Sequence, residues 1–228
     1  IHLGNLISMQ EPGAHRGNKI DQHSEKADHR VEQRRFPRFA PVLAGKETLA
    51  AAHAEPVNLD GSEQWLMKSA EGRDYRIMLS LPEGDVPYTG GYPVIYLLDG
   101  NAYFPALHAA KRAQERWRKA IVVAIGYPSD TPLDFERRAF DLSPPQLPER
   151  NDPPQGGQDL FLDFIEQRLM PRVNQRFKVD RDQVSLVGHS FGGMFAIYTL
   201  FTRPQLFQHV VAISPSLWWD RARLVQDA

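Results

Sequence analysis

The chain has 228 residues and no cysteine, which excludes disulfide bonds, thiol catalysis and thiolate metal sites. Its formal net charge of -1 provides no basic surface for nucleic acid or for an anionic membrane. No apolar run reaches the roughly 18 residues that a membrane-spanning helix requires.

Residues 11–38 contain twelve charged side chains and a single aromatic ring, Phe36. Such a stretch buries too little apolar surface to offset the entropy that is lost when a chain becomes ordered. We therefore predict a disordered leader over residues 1–56 and one globular domain over residues 57–228.

The leader also bears on the compartment of the protein. Arg34-Arg35 ahead of an Ala-rich stretch faintly resembles a twin-arginine export signal. The charges of Lys46 and Glu47 interrupt the apolar core that such a signal needs. The periplasm and the cytoplasm therefore both stay open.

Strands that alternate with helices are predicted from Gln64 onward, on the basis of apolar runs and amphipathic stretches. The predicted strands are Trp65–Met67, Tyr75–Leu79, Pro93–Leu98, Ile121–Ile125, Val184–Val187 and Val210–Ile213; the predicted helices are Pro105–Arg118, Gln158–Arg176 and Gly193–Phe201. Residues 126–157 carry seven prolines and are predicted to form a long functional or mobile loop. This alternation predicts the α/β class, with a parallel sheet covered by helices on both faces.

Residues 188–192, Gly-His-Ser-Phe-Gly, match the pattern G-x-S-x-G. The letters alone are weak evidence, but an apolar strand ends directly before them and an apolar helix begins directly after them. This context is typical of a nucleophile elbow, a sharp turn that lifts a serine hydroxyl above the sheet. We predict Ser190 as the nucleophile. The alternative is a glycine-rich turn that only connects a strand to a helix.

An oxyanion hole needs the N–H of the residue after the nucleophile, here Phe191, and a second N–H from the loop after the third strand. In that loop Gly100 can bring its backbone close to a ligand without steric cost. Gly100 and Phe191 are therefore the predicted oxyanion donors, and the adjacent Asn101 is a candidate substrate-binding residue. The alternative is that Asp99-Gly100-Asn101 forms an ordinary turn.

A serine hydroxyl needs a general base, which in this fold is a histidine later in the chain. The only histidine after Ser190 is His209, which begins the last predicted strand at the opposite edge of the sheet. A five-residue strand separates the two edges by more than about 15 Å, which excludes His209. His189 neighbours the serine but is aimed in a different direction, and His108 is predicted to be structural.

We expect the catalytic histidine, the acid, about two further strands and a closing helix to lie beyond residue 228. This chain alone would then be inactive, and its incomplete sheet would make it poorly soluble. A hydrolase-like protein that has lost catalysis is the alternative, although it would need the same strands to complete its sheet.

Five segments together resemble the esterase D-like family of α/β-hydrolases, and within it the bacterial siderophore esterases that hydrolyse the trilactone of enterobactin and its glucosylated relatives. They are Tyr92–Ala102, Val122–Tyr127, Asp134–Asp141, the elbow and Ser214–Leu217. The resemblance implies a serine carboxylic ester hydrolase of the α/β-hydrolase fold that works through an acyl-enzyme and needs no cofactor. By the same resemblance, Ser190 is the nucleophile and Gly100 and Phe191 are the oxyanion donors.

The implied substrate is a small-molecule ester, a ferric catecholate siderophore, which is anionic and aromatic. Arg137 and Arg138, on the predicted long loop, offer a delocalised cation, and Arg138 matches the family pattern. Trp218 and Trp219 follow the last strand and could stack on a catechol ring. The alternatives are a solvated loop face for the arginines and packing against a further segment for the tryptophans.

Other functions remain open at this point. A general esterase, an S-formylglutathione hydrolase and an acyltransferase use the same fold. A non-catalytic module that binds an iron siderophore is an alternative of a different class. The sequence contains no cluster of metal ligands, so any iron would arrive with the substrate.

Overall fold

A computed structural model describes residues 58–88, 90–146 and 153–218 of the protein. The predicted leader and Trp219 lie outside the described residues. The strands are β1 Ser62–Lys68, β2 Asp74–Ser80, β3 Tyr92–Leu97, β4 Ile121–Gly126, β5 Val179–His189 and β6 His209–Ile213. The helices are α1 Gly100–Ala113, α2 Phe135–Leu142, α3 Gln158–Phe164, α4 Met170–Arg176 and α5 Phe191–Thr202, with a short 3-10 helix at Glu115–Trp117.

The six strands form one sheet in the order β1-β2-β4-β3-β5-β6. Strands β4, β3, β5 and β6 run parallel to one another, whereas β2 pairs antiparallel with both β1 and β4. The predicted α/β fold with a mostly parallel sheet is confirmed. Because the four parallel strands end at one edge, that edge carries the residues that follow them, which include Asp99, Tyr127, Ser190 and Ser214.

The sheet is covered on both faces, which explains the continuous apolar sequence of its central strands. Successive side chains of a strand point to opposite faces. On β4, Val123 and Ile125 belong to the larger core with α3 and α5, and Val122 and Ala124 belong to a smaller core that includes Phe104 of α1. Among the described residues, no helix is both long and apolar enough to cross a bilayer.

The predicted start of α1 at Pro105 is wrong by five residues. Asp99 has a left-handed backbone, with φ 52°, that turns the chain from β3 directly into a helix starting at Gly100. Pro105 therefore lies inside the helix instead of opening it. The helix also ends earlier than predicted, at Ala113.

The predicted loop over residues 126–157 is also wrong in part, because it contains helix α2. The Asp134 carboxylate caps this helix by accepting a hydrogen bond from the Arg137 N–H at 3.2 Å. Arg137 and Arg138 consequently lie on a helix and not on a loop.

The predicted helix over residues 158–176 is confirmed as one helical stretch made of α3, a π turn at Ile165–Leu169 and α4. The π turn ends two residues before Pro171, which has no N–H to donate to the preceding turn.

Two phenylalanines of α5 test the packing of the larger core. Phe195 is fully buried against Phe161, whereas Phe201 is 57% exposed. We expect Phe195→Ala to lower the free energy of unfolding by about 3–5 kcal/mol, because it leaves a cavity. Phe201→Ala, the matched control, should change it by less than about 1 kcal/mol. Urea denaturation followed by circular dichroism measures both, and equal losses would contradict this packing.

Candidate active site

Ser190 is the single residue between β5, which ends at His189, and α5, which begins at Phe191. Its backbone has φ 58° and ψ -115°, a region that residues with a Cβ rarely adopt. Three backbone hydrogen bonds hold it there: Ser190 N–H donates to the Ile213 carbonyl at 3.0 Å, and the Ser190 carbonyl accepts from Met194 and Ser216 at 3.0 and 3.1 Å. The hydroxyl is thereby raised at the carboxyl edge of the sheet, as an elbow requires.

The glycines of the elbow are needed for close approach of two backbones. A Cβ on Gly188 would overlap the carbonyl oxygen of Gly192 at the start of α5. A Cβ on Gly193 would lie 3.1 Å from both the Ile213 carbonyl oxygen and the Cα of Pro215. Strand, helix and the loop after β6 therefore meet around Ser190 at distances that leave no room for side chains.

The two predicted oxyanion donors are each the first residue of a helix. Phe191 begins α5 and Gly100 begins α1. The first N–H groups of a helix have no acceptor within it and carry partial positive charge, so they suit an anionic oxygen. Gly100 is buried, and a Cβ there would lie 2.7 Å from the Met78 Cε and 3.0 Å from the Ala124 Cβ. The oxyanion role of this pair stays a prediction.

Arg138 is buried and paired with Asp99. Its Nε and Nη2 donate to the two carboxylate oxygens of Asp99, each at 2.9 Å, and the two side chains are 6% and 1% exposed. Nη2 also approaches the His189 carbonyl oxygen at 3.5 Å, and the guanidinium carbon lies 5.1 Å from the Phe191 ring centre. The pair thus connects the loop after β3, helix α2 and the elbow. Arg138 keeps its positive charge, but with the Asp99 carboxylate beside it the pair as a whole has no net charge.

Asn101 braces a loop with its side-chain amide. Its Oδ1 accepts from the Tyr127 N–H at 3.0 Å, and its Nδ2 donates to the carbonyls of Tyr127 and Ser129 at 3.0 and 2.8 Å. Both ends of the amide are therefore engaged with the segment that leaves β4. The predicted contact of Asn101 with substrate would have to compete with these bonds.

Aromatic side chains remain accessible at the same edge. Trp218, a predicted substrate-binding residue, is 70% exposed. Phe135, at the start of α2, is half exposed, and its ring centre lies 6.1 Å from that of the buried Phe191. Of the three predicted substrate-binding residues, Trp218 is the most exposed.

Two residues of the edge were not among the predicted site residues, Asp99 and Ser216. Asp99 holds Arg138, and the Ser216 hydroxyl lies 3.0 Å from the Ser190 hydroxyl. The signal that points to them is position along the chain, since each follows a parallel strand by two or three residues at the edge that carries Ser190.

No histidine of the described residues is hydrogen-bonded to Ser190. His209 begins β6 and pairs in register with Ser185, five residues before Ser190 and away from the edge that carries it. His189 Nδ1 bonds the Tyr103 hydroxyl, and the buried His108 Nδ1 bonds the Ser80 hydroxyl, each at 2.8 Å. Burial lowers the pKa of His108. Within the described residues, no group of three or more acidic or imidazole side chains is arranged to hold a metal ion.

A buried carboxyl lies on the same helix as Arg138. Asp141 is 1% exposed, and neither of its carboxylate oxygens has a hydrogen-bond partner of good geometry among the described residues. Burial raises the pKa of Asp141 to about 6, and the charge of Arg137 with the nearby hydroxyls of Tyr75 and Tyr127 offsets part of this increase. The neutral acid is therefore favoured in the folded protein over a wider pH range than in the unfolded chain.

Removal of the Arg138 side chain tests its buried ion pair with Asp99. We expect Arg138→Ala to lower the free energy of unfolding by about 3–5 kcal/mol, because the Asp99 carboxylate would stay buried without compensation. Arg176→Ala removes an ion pair with Glu63 that is about half exposed, and should cost less than about 1 kcal/mol. Urea denaturation at neutral pH compares the two variants. A cost for Arg138→Ala as small as that for the control would show that the pair does not stabilise the fold.

The raised pKa of Asp141 predicts a particular pH dependence of stability. Between about pH 4 and pH 6 the unfolded chain loses this proton and the folded protein keeps it, so the free energy of unfolding should fall as pH rises through this range. Asp141→Asn cannot ionise and should remove that part of the fall. The difference between wild type and variant, measured by urea denaturation from pH 4 to pH 8, isolates the effect. A difference that does not change with pH would contradict the assignment.

Comparison with known proteins adds the family to this geometry. The family model described as "Putative esterase" matches residues 69–228. The siderophore triacetylfusarinine C esterase of Aspergillus fumigatus is 42% identical over 187 residues, which are 76% of this chain and 62% of that protein. The ferri-bacillibactin esterase BesA of Bacillus subtilis is 38% identical over 177 residues, 72% of this chain and 61% of its own length.

A solved structure, the BES protein from Bacillus cereus, superposes with a TM-score of 0.71 at 36% identity, and the match covers 76% of this chain and 68% of that one. The chain spans about three fifths of the length of the two curated relatives. The family model covers most of the chain, and the elbow, the sheet order and the loop after β3 have the arrangement of a serine α/β-hydrolase. The chain is therefore a member of the esterase family of α/β-hydrolases.

Proposed function

We propose that this chain supplies the nucleophile of a serine carboxylic ester hydrolase that cleaves the ester bonds of a siderophore. The observation that carries the proposal is Ser190, held with a positive φ at the carboxyl edge of the sheet directly before the N-terminus of α5. Both relatives described above are named as siderophore esterases, which favours that class of substrate.

The reaction proceeds in two halves. The Ser190 Oγ attacks the ester carbonyl while a general base takes its proton, and the carbonyl oxygen becomes an oxyanion beside the N–H groups of Phe191 and Gly100. Collapse of this intermediate expels the alcohol and leaves an acyl-enzyme on Ser190. Water then attacks the acyl-enzyme, and the carboxylic acid leaves as Ser190 recovers its proton. The identity of the base stays a prediction, since no histidine of the described residues is hydrogen-bonded to Ser190.

The electrostatics of the site restrict how an anionic siderophore is held. The Asp99–Arg138 pair has no net charge, and the Asn101 amide is engaged with the loop after β4. We propose that recognition of a catecholate siderophore relies on the exposed aromatic surface of Trp218 and Phe135. Arg138 then acts by holding the loop after β3 and not by contacting the substrate.

Hydrolysis of a siderophore tests the proposal directly. Enterobactin incubated with the full-length protein should yield its linear trimer, dimer or monomer, identified by mass spectrometry. Ser190→Ala should lower the rate by at least about 10⁴-fold, because the nucleophile is removed. Ser62→Ala, a serine on the edge strand β1, is the control and should retain the wild-type rate.

The alternatives give different products. Turnover of a simple acetate ester that depends on Ser190, with enterobactin and triacetylfusarinine C left intact, would retain the hydrolase and reject the siderophore. Transfer of the acyl group to an added alcohol would indicate an acyltransferase. Tight binding of a ferric siderophore with no hydrolysis by wild type, unchanged in Ser190→Ala, would identify a binding protein.

A further inference from the structure

A second serine hydroxyl lies directly beside the proposed nucleophile. Ser216 is 4% exposed, and its Oγ lies 3.0 Å from the Ser190 Oγ, within hydrogen-bond distance. Ser216 belongs to the Ser-Pro-Ser segment after β6, which the reaction described above does not use. This hydroxyl is in contact with the atom that becomes bonded to the acyl group.

Backbone hydrogen bonds help to bring the Ser190 and Ser216 side chains together. The Ser216 N–H donates to the Ser190 carbonyl at 3.1 Å, and the Ser190 N–H donates to the Ile213 carbonyl at 3.0 Å. The chain between these two bonds turns through Ser214, which has φ 42°, and packs Pro215 against Gly193. The loop after β6 and the elbow therefore hold each other on both sides of Ser190, which keeps the backbones that carry the two hydroxyls close together.

The chemistry of Ser190 decides which hydroxyl must donate. A hydroxyl has one O–H to donate and two lone pairs to accept with. If Ser190 donated to Ser216, its proton would point away from the general base that has to remove it. In the acyl-enzyme, Ser190 Oγ is an ester oxygen and has no proton to donate at all. Donation from Ser216 to Ser190 is the one arrangement that fits every stage of the reaction.

We propose that Ser216 is a positioning residue that holds the Ser190 Oγ in its reactive rotamer by donating a hydrogen bond to it. The bond leaves the Ser190 proton directed to the base during acylation. During deacylation it stabilises the electron pair that returns to Ser190 Oγ as the acyl group departs. This role rests on the proposed function only in taking Ser190 as the nucleophile, and it does not depend on the identity of the ester.

The experiment compares Ser216→Ala and Ser216→Thr with wild type in the full-length protein. The substrate is p-nitrophenyl acetate, and the rate at which a fluorophosphonate modifies Ser190 is measured separately. We expect Ser216→Ala to lower kcat and the fluorophosphonate rate each by about tenfold, the value of one hydrogen bond, with KM changed by less than about twofold. Ser216→Thr keeps the hydroxyl and should recover most of both rates.

The control is Ser80→Ala, which removes another buried, hydrogen-bonded serine hydroxyl on β2, far along the chain from the elbow. It should lower Tm about as much as Ser216→Ala does and leave both rates unchanged. An unchanged fluorophosphonate rate in Ser216→Ala overturns the proposal. The proposal also fails if Ser80→Ala lowers kcat and the fluorophosphonate rate as much as Ser216→Ala does. It fails as well if Ser216→Thr does not recover these rates although its Tm equals that of Ser216→Ala.

A Ser190→Ala sample separates this proposal from the function on which it rests. If Ser190→Ala still hydrolyses p-nitrophenyl acetate and reacts with the fluorophosphonate, Ser190 is not the nucleophile and both proposals fail. If Ser190→Ala is inactive and Ser216→Ala is not impaired, the nucleophile stands and only the role of Ser216 is rejected.

Discussion

The buried ion pair between Asp99 and Arg138 is the interaction on which the geometry of the site depends. It joins three segments that are distant in sequence: the loop after β3, helix α2 and, through the His189 carbonyl and the Phe191 ring, the elbow. Two charged groups this deeply buried are stable together only because both carboxylate oxygens are hydrogen-bonded. Gly100 follows Asp99 in the chain, and the ring of Phe191 contacts Arg138. The ion pair therefore fixes the separation of these two predicted oxyanion donors before any substrate arrives.

A consequence for the electrostatics is that the site relies on dipoles more than on net charge. The charge of the Arg138 guanidinium is balanced by Asp99, and the positive ends of α1 and α5 are the predicted donors to a developing oxyanion. Such fixed donors stabilise the negative charge that forms on the carbonyl oxygen in the transition state of ester cleavage. They do less for the negative charge that an anionic substrate carries before it reacts. An anionic substrate such as the proposed siderophore would then have its charge met by other parts of the protein or by its own iron.

The regular part of the fold could be predicted from the sequence because its signals are local. Ile121–Ile125 is apolar at every position, as a strand covered on both faces must be, and the elbow has a strand and a helix directly on either side. Helix α2 could not be predicted in the same way. It has only eight residues and lies in a proline-rich stretch, and it is stabilised by the Asp134 cap and by burial of Ala139 and Leu142.

The candidate site can be read from the sequence where a motif defines it, whereas contacts between residues distant in sequence cannot. Ser190 follows from the pattern of five letters around it. Arg138 meets Asp99 across 39 residues, and Asn101 braces a loop 26 residues away, so neither partner is visible from the local sequence. Arg138 is a predicted substrate-binding residue because it matches the family pattern and carries a delocalised charge, and Asn101 because it adjoins Gly100. In the structure their polar groups bond Asp99 and the loop after β4, and their contact with substrate stays a prediction.

The backbone of Ser190 also bears on how such a protein can be stabilised. A residue with a Cβ held at φ 58° and ψ -115° costs on the order of 1–3 kcal/mol, and glycine would adopt the same turn with little strain. Stability and nucleophilicity are therefore opposed at this one position. A search for thermostable variants that ignores activity would be drawn toward glycine at position 190, and would lose the hydroxyl in the process.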